Sequence, residues 1–255
     1  MTGEMTGDVA RALDDVAGLG PFFCIGTDPA ERADPAWRPF TALHREGPRL
    51  RALIDAYARR LGTNEDRVAA SILFQGLAAR LWSPVVAAAA AHGLVPDLAG
   101  LHYRWAPGAP MALWLAEPGR VPAAAAVDDH AAAVHRTVMS HLRPLRAAMH
   151  AYVRVADGLM WGNAAAAVAG VRAGAAGVRP DLDGRLADLL ERVLAREPLA
   201  GTGGFVRPFG DRPERFYVRG TCCLYYRVPP GGDYCGDCVL LDPAERLRRW
   251  RSALT

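Results

Sequence analysis

The chain has 255 residues, 51% of them hydrophobic, with 30 basic against 27 acidic residues and a formal charge of +3 at pH 7. Its length suits one substantial core or two small ones, and with no long block of basic residues nucleic-acid binding has little support. Every basic residue is arginine, so Schiff-base lysine chemistry and a P-loop lysine are both excluded.

In chain order, Val9, Leu13 and Val16 recur at helical spacing, so residues 1–17 are predicted as a short helix stopped by Gly18, Leu19, Gly20 and Pro21. Residues 22–25 read as a short buried extended piece in which Cys24 is a small hydrophobe, and residues 26–45 as loop. From Pro48 a helix carries Leu50, Leu53, Ile54, Tyr57 and Leu61 on one stripe, with Gly62 placed to cap it. Residues 63–66 have the form of a capping box opening a second helix to about Trp82. Ser83 and Pro84 then restart a helix that ends near His92 and Gly93.

The longest apolar run, residues 85–91, is far short of the ~20 residues a membrane span needs. The N-terminus is polar and acidic, without the apolar core of a signal peptide. The expectation is a cytoplasmic chain with no membrane span.

Residues 101–105 and 111–115 flank a Pro- and Gly-rich loop and read as a β-hairpin. Helix is predicted from Asp128 to Val153 with an interruption at Pro144, over the small-residue stretch 158–173, and over residues 182–196, amphipathic through Leu186, Leu189, Leu190 and Leu194. His130, His135 and His141 are separated by five and six residues, wrong for one helical face, and are expected to be solvated or locally bonded. Alanine runs, including residues 123–126, imitate low complexity without forming a repeat.

Past Glu197 the texture turns to glycine, proline, aromatics and arginine. Residues 201–204 lack the G-x-G-x-x-G spacing of a phosphate loop and read as a flexible bend, so the chain has no nicotinamide or flavin fingerprint of its own. Residues 216–218 look like a strand, and a last helix over 243–254 carries Arg246, Arg248, Arg249 and Arg251. The predicted class is α+β, mainly α: a helical body over residues 1–197 and a small β-containing module over residues 198–255.

Four of the five cysteines, Cys222, Cys223, Cys235 and Cys238, fall within residues 221–238. Disulfides belong to oxidising compartments, which the N-terminus does not suggest. The pair Cys235 and Cys238 has the spacing of a zinc knuckle, but neighbouring residues such as Cys222 and Cys223 point to opposite faces of an extended segment and reach one tetrahedral ion only by backbone distortion. Four thiolates are also the usual complement of a [2Fe–2S] centre, so zinc and iron–sulfur both stay open on ligand chemistry alone.

The segment between the pairs has Tyr226, Arg227, Val228 and Pro229, and it closes on Cys235, Gly236, Asp237 and Cys238. It resembles the cluster-binding segment of the FhuF family of ferric-siderophore reductases, which carries a vicinal Cys pair, a Tyr-Arg-hydrophobic-Pro run and a closing C-G-D-C. Here one residue more than the family commonly has separates the second and third cysteines, within the turn of residues 229–234. Residues 74–84, 92–97, 159–163 and 199–205 are similar as well, so the resemblance covers roughly residues 65–240. It implies a [2Fe–2S] cluster held by Cys222, Cys223, Cys235 and Cys238. It also implies one-electron reduction of Fe(III) in an imported, hydroxamate-type siderophore, with release of Fe(II) in the cytoplasm.

Electrons would come from an external ferredoxin or flavoprotein. The alternatives are a non-enzymatic iron–sulfur sensor that binds a ferric siderophore, and a zinc-stabilised binding module. Trp82, Gln75, Ser83, Trp161 and Asn163, within the similar segments, are candidates to line a substrate pocket, with core packing as the alternative for tryptophan. Arg219 and Arg227 flank the vicinal cysteines, where cations would stabilise a reduced cluster or attract an acidic partner. Of Tyr225 and Tyr226, one is expected to shield the cluster and the other to face outward.

Overall fold

The computed structural model describes residues 2–121, 127–210, 214–231 and 233–254; the alanine run 123–126 and Gly232 of the turn lie outside these. The architecture is organised around α4 (Asp66–His92). Its apolar residues go all the way round the helix, and a helix without a polar face belongs at the centre of a fold. Val68, Leu73, Phe74, Leu81, Trp82 and Val85 are accordingly all fully buried. α4 packs chiefly on α6 (Asp157–Ala176), whose alanines at 164–167 present little bulk. Around this pair stand α1 (Thr2–Ala17), α3 (Gly47–Leu61), α5 (Val127–His150) and α7 (Asp183–Leu194), with the short α2 (Ala42–Arg45) against α3 and α5.

α4 is one helix where the sequence predicts a restart at Ser83 and Pro84. A proline inside a helix costs about 3 kcal/mol. Burying Leu81, Trp82, Val85 and Val86 beside it contributes about 1.5–3 kcal/mol each, so packing carries the helix through. The same holds at Pro144 within α5, between the buried Leu142 and Leu145. Joined in this way, α4 is long and apolar enough to cross a membrane, but 67% of its most apolar window is buried within the fold.

The capping box does not form. Thr63 Oγ1 accepts from the Glu65 amide at 3.1 Å and the helix begins only at Asp66, whose carboxylate, the other half of the box, accepts from Arg51 Nη1 at 2.7 Å. Gly62 ends α3 at φ 65° as the sequence predicts. Cys24 is exposed and not part of a buried piece; its thiol reaches the carbonyls of Gly20 and Ala17 at 3.5 and 3.7 Å.

The hairpin of β2 (Leu101–Arg104) and β3 (Ala112–Leu115) pairs Leu101 with Leu115 and Arg104 with Ala112. A third strand, β1 (Arg38–Pro39), adds to it from within the expected loop, too short to leave a periodic signal. A second antiparallel ribbon joins β4 (Gly203–Val206) to β5 (Phe216–Arg219), so residues 203–204 form a strand and not a flexible bend. A side chain at Gly203 would put its Cβ 2.7 Å from the Val218 carbonyl, which explains glycine in that strand. The ribbon lies on α6 and α7 and leads into the cysteine segment.

α8 (Pro243–Ser252) closes the fold, with Asp242 Oδ1 capping the amides of Ala244 and Glu245 at 2.9 and 3.1 Å. Its Trp250 stacks on Phe216 at 4.7 Å between ring centroids.

Candidate functional site

The vicinal cysteines follow β5 directly, and the backbone reverses just after them. Leu224 sits at φ 68°, a left-handed conformation that is rare for a residue with a branched side chain. This is the local distortion that a vicinal pair demands. It lets the Leu224 amide donate to the Cys222 sulfur at 3.4 Å and the Tyr225 amide donate to the Cys223 sulfur. Cys235 and Cys238 sit on a tight turn closed by the Cys238 amide on the Cys235 carbonyl at 3.0 Å.

The four thiols meet in two pairs. The Cys222 side chain is hydrogen-bonded to that of Cys238, and Cys223 to Cys235. All four are free of disulfides; Cys223 and Cys238 are buried, and the other two are half-buried. The hydrogen bond from Cys235, together with the nearby Arg219 charge, holds the Cys223 thiol well below its usual value, and the Cys235 thiol is raised in return. Burial raises Cys222.

Behind the sulfurs runs a buried polar chain. Arg219 is 4% exposed, and its Nε donates to Asp237 Oδ2 at 2.7 Å while its backbone amide donates to the Asp237 carbonyl at 2.9 Å. Its Nη1 donates to Asn163 Oδ1 at 2.9 Å. Asn163 Nδ2 in turn donates to Ser71 Oγ and to the Ser71 carbonyl at 2.8 and 2.9 Å, and Ser71 Oγ donates to the Cys223 carbonyl at 2.7 Å. One chain of contacts therefore ties the first cysteine pair, through α4 and α6, to the second.

Burial alone would lower the Arg219 guanidinium, but Asp237 and the Cys223 and Cys235 sulfurs raise it above its ordinary value, so the cation is firmly held. On the outer side Arg246 Nη2 donates to the Cys238 and Leu241 carbonyls at 2.7 and 3.0 Å.

The other sequence-selected residues divide. Arg227 is a surface residue paired with Glu65 at 2.9 Å, and so anchors the segment to the start of α4. Tyr225 is exposed; Tyr226 is half-buried, its ring 5.6 Å from that of Tyr234. Trp82 lies fully buried in the core beside His135, at 6.3 Å between rings, and Ser83 is buried with it. Trp161 packs edge-on to Phe74 at 6.1 Å, on the face of α6 turned to α4. Asn163 belongs to the polar chain behind the thiols. His130 and His141 bond to the carbonyls of Gly93 and Leu98 at 3.2 and 3.0 Å.

Ser71, Asp237, Glu65 and Arg246 were not selected from the sequence. Ser71 and Asn163 do carry a signal there, since each is a lone polar residue within an otherwise apolar helical stretch, where burial requires a hydrogen-bond partner.

Two hydrogen-bonded pairs of thiols, amides directed at two of the sulfurs and a buried cation alongside fit an anionic thiolate-ligated cluster. Among the described residues no three His, Cys, Asp or Glu side chains close on a single ion; the two-pair arrangement suits a binuclear centre.

Residues 219–240 match the FhuF 2Fe-2S C-terminal domain. The fold and site thus define an α+β, mainly α, iron–sulfur protein whose cofactor is a [2Fe–2S] cluster. Residues 71–208, more than half of the 255, match the family described as ferric iron reductase FhuF-like transporter. The chain belongs to that family, which gives it a ferric iron reductase role. No curated protein matches it.

Proposed function

We propose that the protein reduces Fe(III) held in an imported hydroxamate-type siderophore and releases Fe(II) in the cytoplasm. The observation that carries this reading is the gathering of Cys222, Cys223, Cys235 and Cys238, with Arg219 buried behind them, in a chain of the ferric iron reductase family. The four cysteines would hold the [2Fe–2S] cluster, which when bound supplies one electron at a time. The thiol segment of residues 198–255 would carry the redox centre, and the helical body of residues 1–197 would support it.

The chemistry follows from ligand hardness. Hydroxamate oxygens grip the hard, highly charged Fe(III) and hold Fe(II) weakly, so one electron added to the chelated iron loosens it. No proton transfer is required of the protein. The work of its residues is to keep the thiolates ionised and oriented, through the amides of Leu224 and Tyr225 and the charge of Arg219.

The electron comes from a reduced ferredoxin or flavoprotein. This donor would meet the outer side of the segment, where Tyr225, Val239 and Leu240 are exposed next to the cysteines and Arg248 lies on α8.

An anaerobic titration tests the reading. The coloured protein should bleach with one electron per chain and recover its colour on adding a ferric trihydroxamate, with Fe(II) appearing in equal amount. Cys222→Ser should lose the visible spectrum. A colourless wild-type protein containing zinc, or a reduced centre that transfers nothing to any ferric chelate, would sink it.

A further inference from the structure

A cavity of about 420 Å³ opens directly beside the cysteine turn. Gly236 and Asp237, the two residues between Cys235 and Cys238, form part of its wall. The outer face of α6 adds Ala166, Ala169, Gly170 and Ala173, and Phe205, Phe216 and Trp250 line it as well. Its volume falls in the range of small-molecule sites, which are likewise mostly apolar with a few fixed polar groups. The sequence-selected Trp82 is in the core, and Trp161 is turned to α4.

The charges in the wall are already balanced. Arg172 makes a two-pronged pair with Asp183 at 2.6 and 2.8 Å, Arg215 pairs with Glu191, and Asp237 pairs with Arg219. A multiply charged ligand would find no free countercharge there and would have to leave water without compensation. A neutral ligand with an apolar framework meets no such cost. Fe(III) with three hydroxamates is neutral, +3 against three single negative charges, whereas three catecholates leave it at −3.

We propose that this cavity is the docking site of the ferric chelate, seated against Gly236 and Asp237. The inference rests on the reductase reading for the identity of its occupant. It further assigns the outer face of α6 as the substrate-facing surface and the C-G-D-C turn as the point of contact.

Gly170 provides the test. A Cβ added there meets nothing within 4 Å, and phenylalanine has a better helix propensity than glycine, so Gly170→Phe fills the cavity without disturbing the helix. Gly170→Ala leaves most of the room and serves as control. Ala173→Leu narrows the same cavity from an exposed position and carries the test if Gly170→Phe alters the visible spectrum.

The probe is a gallium(III) trihydroxamate, which has the ferric charge and shape but accepts no electron, titrated calorimetrically into the cluster-loaded protein. Filling the cavity is expected to weaken its binding at least tenfold, with Gly170→Ala as wild type and a gallium tris-catecholate failing to compete. Reoxidation of the reduced protein by ferricyanide, which needs no docking site, is expected to be unchanged. Wild-type affinity in both cavity-filling variants would overturn the proposal, as would a tris-catecholate that binds as tightly as the trihydroxamate. Because gallium binding involves no electron transfer, a failed ferric reduction would refute the reductase reading and leave the site standing on its own result.

Discussion

Arg219 is the residue on which the site most depends. Read from the sequence, it is one arginine among thirty flanking a cysteine pair, with nothing to distinguish it from the exposed Arg227. The fold separates the two: Arg227 stays on the surface with Glu65, while Arg219 is enclosed and bonded to Asp237 and Asn163. Removing it as Arg219→Met leaves Asp237 and Asn163 without their donor. Because Asp237 is itself partly exposed, the loss is expected at about 2–3 kcal/mol in urea unfolding. The same change takes a cation from beside an anionic cluster, so potentiometric titration should give a lower reduction potential, with Arg219→Lys intermediate in both measurements. A potential unchanged in Arg219→Met would confine the residue to a packing role. The cluster of four cysteines was legible because soft ligands so dense have few other uses; the residues that support the segment were not, because a buried hydrogen bond joins residues as far apart as Ser71 and Cys223.

Among elements, α6 is the one whose surface chemistry decides how near the thiol segment can come. Gly162 faces Thr221, the residue just before Cys222, and a Cβ at that position would collide with the Thr221 hydroxyl. Gly162→Ala is therefore expected to cost about 1–3 kcal/mol despite the better helix propensity of alanine, and to lower iron and sulfide content per chain. Thr221→Ala in the same chain should restore much of both, a coupling that a double-mutant cycle measures. Most helices were readable because their apolar spacing is periodic, as in α7 with Leu186, Leu189 and Leu190 buried. The errors fall where packing or pairing overrides a local rule: Pro84 and Pro144 sit inside helices, and Asp66 pairs with Arg51 where the capping box would need it. Strands β1 and β4 escaped notice because two residues, or a pair of glycines, have no alternation to read.

At the scale of the whole molecule, one buried and two half-buried imidazoles contribute to its response to acid. Burial, then the charges of Arg196 and Arg143, holds His135 down to about 4 from an ordinary value of 6.5, and burial lowers His141 and His44 as well. The unfolded chain takes up these protons at a higher pH than the folded one. The contribution is therefore full above about 6.5 and is lost as pH falls towards about 4. Thermal melts between pH 7 and 5 should show falling stability, with a shallower fall in His135→Gln; equal slopes in the two proteins would remove His135 as a cause. The fold also bears on transplantation. The thiol segment is held from outside itself by Glu65 on Arg227, Ser71 on Cys223, and Asn163 on Arg219, all supplied by the start of α4 or by α6. Anyone grafting this centre into a foreign scaffold would have to carry across the opening turns of one helix and a face of another, or rebuild their hydrogen bonds, since the cysteine loop brings with it only half of its own mould.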